Sequence, residues 1–87
     1  MTDKTLEYRI NNKNPEPLMV IVEPWTEEIA LSPESSLLLK IFYDKEGLLE
    51  VETNPNYYVV WLWGGCRVEL ALNGEELKMP SLLIRSP

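Results

Sequence analysis

The groups able to do chemistry in this 87-residue chain are one thiol and fourteen carboxylates, with no histidine to assist either. The missing histidine closes several routes together, because Ser-His-Asp and Cys-His nucleophile pairs, histidine-bound zinc and the facial triad all need an imidazole. The histidine-built metal site of cupin-type β-barrels cannot form either. Cys66 follows Gly64-Gly65 and is the one nucleophile of note. A thiol becomes reactive when a neighbouring base lowers its pKa, and the sequence places none beside it. Free cysteine otherwise behaves as a small buried hydrophobe, so burial is the expected state of Cys66.

Carboxylates pair at Glu27/Glu28, Glu50/Glu52 and Glu75/Glu76. Paired acids can hydrolyse glycosides or hold hard cations. In extended chain, however, adjacent residues point to opposite faces, which separates the first and third pairs. Glu50 and Glu52 share a face, but Lys40 is expected to neutralise Glu52. No calcium-loop pattern accompanies any pair, and the glutamates read as a solvated rim. Gly64-Gly65 opens no helix and so cannot cradle a phosphate. We therefore expect no catalytic, cofactor-binding or metal-binding residues, and no enzyme.

Aromatic side chains offer binding chemistry instead. Trp25, Tyr43, Tyr57, Tyr58, Trp61 and Trp63 can line an apolar pocket or stack on sugar rings. Filling a small β core with their polar atoms bonded at its edge is the plainer use. Trp25 differs, since it follows Pro24 in a loop beside Glu23, Glu27 and Glu28. Trp25, Trp61 and Trp63 are accordingly the candidate ligand-binding residues, for a carbohydrate or metabolite.

The elements that must position these residues are short strands. Seven prolines and four glycines interrupt runs rich in Leu, Val, Ile, Tyr and Trp, the pattern of a β domain. Leu6, Tyr8 and Ile10 alternate with polar residues to give a half-buried first strand. Residues 11–17 hold Pro15 and Pro17 and form a loop. A second strand spans 18–23 and ends at Pro24. A third spans 28–32 before the turn at Pro33, although Thr26-Glu27-Glu28 can also open one helical turn.

Asp44-Lys45-Glu46-Gly47 matches a three-residue hairpin closed by a left-handed glycine. That geometry pairs 43 with 49, 41 with 51 and 40 with 52. It gathers Leu37, Leu39, Ile41, Tyr43, Leu49, Val51 and Thr53 on one face and leaves Leu38, Phe42 and Leu48 on the other. Asn54-Pro55-Asn56 makes the next turn. Asn73-Gly74 is the strongest short hairpin signal in the chain, because both residues must take positive φ. It pairs 72 with 75, 70 with 77, 69 with 78 and 68 with 79. Gly64-Gly65 reads as a second two-residue turn, pairing 63 with 66, 61 with 68, 59 with 70 and 57 with 72. Residues 79–84 form a last edge strand. The sum is one all-β domain over 1–87, with eight or nine short, mostly antiparallel strands in a jelly-roll-like sandwich or small barrel.

The strand at 57–63 is apolar throughout. With Tyr57, Val59, Trp61 and Trp63 directed inward by the hairpin pairing, Tyr58, Val60 and Leu62 point outward. A strand apolar on both faces is covered on both faces. The cover is either the chain's own Leu38/Phe42 side or a partner, and Tyr58, Val60 and Leu62 form the candidate partner interface. A domain this small has a thin stability margin, which self-association would widen.

Composition narrows the partners. The formal charge of -6 repels nucleic acid, and no basic run opposes it locally. No apolar signal segment or membrane span is visible, and the single cysteine suits a reducing cytoplasm.

Val22-Glu23-Pro24-Trp25, followed by an acidic pair, an apolar strand and a turn at Pro33, resembles small uncharacterised bacterial proteins with a V-E-P-W core. Their later tryptophan-rich strand runs into a glycine turn, as Trp61-Leu62-Trp63-Gly64-Gly65 does here. Glu34-Ser35 stands where their pattern has a Pro-Gly turn. The resemblance implies a compact bacterial β protein and no particular activity. The expected function is a non-enzymatic interaction module that pairs with itself as a homodimer or with another protein. Ligand binding through the aromatics is the alternative.

Overall fold

The computed structural model describes residues 3–87, apart from the side chains of 81 and 83. Among the described residues eight strands run in chain order as β1 (Lys4–Asn11), β2 (Leu18–Glu23), β3 (Glu27–Leu31), β4 (Ser36–Tyr43), β5 (Glu50–Thr53), β6 (Tyr57–Trp61), β7 (Arg67–Leu72) and β8 (Glu75–Leu77). A 3₁₀ helix over Pro80–Leu83 follows. The strands form two sheets, β1-β4-β7-β8 and β3-β2-β6-β5, antiparallel except where β2 and β6 run parallel. Each sheet keeps two free edges, so the sandwich half of the expected architecture stands and a closed barrel does not. Among the described residues no helix is long and apolar enough to cross a membrane.

Alternation along the strands builds the core. Ile10, Leu37, Leu39, Ile41, Val68 and Leu70 come from the first sheet, and Leu18, Val20, Val22, Ile29, Leu31 and Val60 from the second. Each such side chain, removed from water, contributes about 1.5–3 kcal/mol against chain entropy. With Ser86, Asn12 is one of two buried polar residues among those described, at 1% exposure. Its amide nitrogen donates to the carbonyls of Glu16 (2.9 Å) and Leu31 (2.8 Å), and its Oδ1 accepts from the Asn14 N–H (2.9 Å). Its backbone also bonds Ser35 and Glu34, tying the loop after β1 to the turn before β4.

The Asn73-Gly74 hairpin forms as expected, with φ of 51° and 87° and the 72–75 and 70–77 pairs. Pairing stops at Leu77, so the 69–78 and 68–79 pairs are not made. The chain leaves the sheet through the Pro80–Leu83 helix, where a final edge strand was expected. After the β2–β3 corner the strand expected at 28–32 forms over Glu27–Leu31, and the alternative helical turn does not. Glu23-Pro24 is a cis peptide, Thr26 takes φ 58° and β3 begins at once.

Two expected hairpins are corrected. Both edges of β4 are filled, by β1 and β7, so Lys40 pairs with Glu7 and Glu69 and not with Glu52. The chain crosses to the other sheet before β5, which pairs with β6. Gly47 lacks the positive φ its turn required, and its role is space: a Cβ there would lie 2.1 Å from the Trp63 ring. The Gly64-Gly65 segment likewise crosses between sheets, since β6 belongs to one and β7 to the other. Only Gly65 of that pair has positive φ, at 86°.

Candidate interaction face

Moving β6 from β7 to a place between β2 and β5 reverses its faces. Tyr58 and Val60 lie beside Val20 and Val22 on β2 and beside Thr53 and Val51 on β5, all on the inner side. Val60 is fully buried and Leu62 is 7% exposed. The Tyr58 hydroxyl reaches across the sandwich to hydrogen-bond the Tyr8 hydroxyl. Burial, followed by this bond, pushes the Tyr58 pKa up to about 12. Tyr58, Val60 and Leu62 are thus covered by the chain's own first sheet, and the outward placement expected for them is wrong. The hairpin assumption caused the error, because one wrong neighbour inverts every side chain of a strand.

The three candidate tryptophans do not converge on one pocket. Trp25 packs against the core and its indole N–H donates to the Ile84 carbonyl at 2.9 Å. Trp63 donates to the Lys45 carbonyl at 2.8 Å, lies over Gly47 and meets Tyr43 edge to face at 5.1 Å. Each of these two pins a connecting segment to the sandwich. Trp61, 39% exposed, points away from both on the outer side of the second sheet. A surface hollow of about 290 Å³ is lined by Arg67, Glu69, Lys78, Met79 and Leu82 among others, and by none of the tryptophans. Within it Arg67 is already engaged, bonded to Glu69 at 3.0 Å and stacked 4.2 Å from the centroid of Phe42.

Cys66 is completely buried, as its type suggested. Burial pushes its thiol pKa up, outweighing the opposite pull of the Trp63 backbone and Arg85. Its N–H donates to the Ser86 hydroxyl, and that hydroxyl donates to the Trp63 carbonyl. The thiol is therefore a packed core group, neither charged nor presented. Among the described residues no three His, Cys, Asp or Glu side chains gather to hold a metal.

What the second sheet presents outward is an apolar band. Met19 and Ile21 of β2 stand beside Tyr57 and Val59 of β6, and Trp61 follows. Tyr57 is 45% exposed, while Met19, Ile21 and Val59 are partly exposed. Glutamates border the band. Glu28 of β3 pairs with Ile21, Glu52 of β5 with Val59, and Trp61 sits between Glu23 and Glu50. The four strands of this sheet carry five glutamates and no lysine or arginine. The strands of the other sheet balance four basic residues against four acidic ones. Nearly all of the net charge of -6 is accounted for by one side of the sandwich.

Sequence reasoning missed this face because it depends on the parallel β2–β6 pairing, which joins residues some forty positions apart. A usable signal was present: Leu18–Glu23, like Tyr57–Trp61, is an almost unbroken apolar run. Two such runs mark two central strands of the same sheet. No known protein family, curated protein or solved structure matches this chain.

Proposed function

We propose that this protein is a non-enzymatic interaction module that binds a protein partner through the outer face of its second sheet. One observation carries the reading: β2 and β6 are apolar on both faces, and the sandwich covers only the inner one. A sheet with one wet face ordinarily alternates apolar and polar residues, so Met19, Ile21, Tyr57, Val59 and Trp61 are out of place on an uncovered surface. Contiguous exposed apolar patches of this kind mark contact sites. The interface expected at Tyr58, Val60 and Leu62 thus moves to the opposite side of the same strand. The buried neutral thiol and the absence of histidine leave catalysis without a nucleophile–base pair, and the single cysteine fits a cytoplasmic setting. A jelly-roll-like path between the sheets is not required, since the face depends only on the order within one sheet.

The test is selection of peptides from a random library on the intact chain, followed by mapping of the bound site through amide chemical shifts. The reading expects shifts concentrated at Ile21, Val59 and Trp61. Shifts confined to the β1-β4-β7-β8 side, or a library that yields no binder, would contradict it.

A further inference from the structure

Building on the proposed contact face, we infer that its occupant is a basic protein segment with an apolar centre, and not a second copy of this chain. The inference comes from how charge is arranged around the band. The row through Ile21 and Val59 ends on Glu28 at one side and Glu52 at the other. The neighbouring row places Trp61 between Glu23 and Glu50. Residues paired across strands hold their Cβ atoms about 5 Å apart, so each carboxylate stands within one side-chain length of the apolar centre. From β3 to β5 the sheet is roughly 14 Å wide, three interstrand spacings. A segment lying on it must cover aliphatic and indole surface in the middle and present cations on both flanks.

Lysine or arginine suits these flanks for two physical reasons. A cation between Glu23 and Glu50 meets the exposed indole of Trp61 as well as the carboxylates, combining ion pairing with a cation–π contact. The second sheet has no basic side chain on its strands to compete for those acids. Opposite charge at an interface rim also speeds encounter and excludes wrong partners.

The same arrangement disfavours the other occupants. Two copies meeting face to face about a two-fold axis would bring glutamate rim against glutamate rim. A head-to-tail contact would need a net positive charge on the outer side of the first sheet. There Arg9, Lys40 and Arg67 are matched in number by Glu7, Glu69 and Glu76, and Arg67 is already bonded to Glu69 and stacked on Phe42. Nucleic acid and anionic membranes are repelled by this side of the molecule.

Two synthetic peptides discriminate the cases when titrated calorimetrically into the intact chain. One alternates lysine with isoleucine, valine and tryptophan, and its twin carries glutamate at every lysine position. The lysine peptide should bind, with amide shifts at Ile21, Val59 and Trp61. Raising the salt from about 0.05 to about 0.5 M should weaken it roughly tenfold through screening. The double variant Glu50→Gln/Glu52→Gln should weaken it roughly three- to tenfold with an unchanged Tm. Equal binding of both peptides would overturn the basic preference while leaving the contact face intact. Binding of neither, lysine-peptide shifts on the first sheet, or micromolar self-association abolished by Val59→Glu, would overturn the inference outright. The contact face itself is decided separately, by the library mapping.

Discussion

The hydroxyls of Tyr8 on β1 and Tyr58 on β6 are hydrogen-bonded to each other across the sandwich. This contact anchors the inner face of β6 and leaves Tyr57, Val59 and Trp61 on its outer one. It also gives Tyr58 a titration distinct from that of an unfolded tyrosine. Free tyrosine loses its proton near pH 10, whereas burial and the Tyr8 bond hold Tyr58 to about 12. Between those values the unfolded chain releases a proton that the folded chain keeps. The contribution of Tyr58 to stability is therefore complete below about pH 10 and declines as pH rises toward 12. In ultraviolet difference titrations, the amplitude lost in Tyr58→Phe should be centred near pH 12. Lost amplitude centred near pH 10 would show that Tyr58 is not held between the sheets.

Gly47 and Trp63 give a packing prediction. A methyl group at 47 would sit 2.1 Å from two ring carbons of Trp63, which is itself fixed by its bond to Lys45. Gly47→Ala should cost about 1–3 kcal/mol by chemical denaturation, as overpacked sites do. In a Trp63→Ala background the same change should cost little, a coupling that a double-mutant cycle measures.

Asn12→Ala removes a buried side chain that bonds the Leu31 carbonyl in the interior and the Glu16 carbonyl and Asn14 N–H at its edge. Leaving those groups without partners should destabilise the protein by about 2–4 kcal/mol. Hydrogen exchange should quicken at Asn14, whose amide loses its acceptor, before it quickens in the centre of β4.

Local chemistry was legible in the sequence, and long-range pairing was not. Asn73-Gly74 demands two positive φ values, and that demand alone sets the β7–β8 register. Leu6, Tyr8 and Ile10 show their alternation within a few residues, and β2 ends at Pro24 as expected. Gly47 and Gly64-Gly65 failed because a glycine has uses besides turning a hairpin. Gly47 clears room for the Trp63 ring, and a Cβ at Gly64 would lie 2.6 Å from the Pro87 carbonyl oxygen. Both facts depend on residues brought close by the fold. Asn12 looked like one more loop asparagine, because its carbonyl acceptor on Leu31 lies on another strand. The candidate face shared this blindness: the apolar character of residues 57–63 was visible, but its inner and outer sides depended on a parallel neighbour that no turn specifies.

The central claim is that Val59 belongs to a contact surface while its neighbour Val60 belongs to the core. Calorimetric titration of Val59→Glu with a library-selected peptide, alongside its thermal unfolding, tests this most directly. The account predicts a Tm close to that of the unaltered protein and at least a tenfold loss of affinity, the scale of a contact residue truncated or charged. Unchanged affinity, or unfolding as severe as that expected for Val60→Glu in the core, would contradict it.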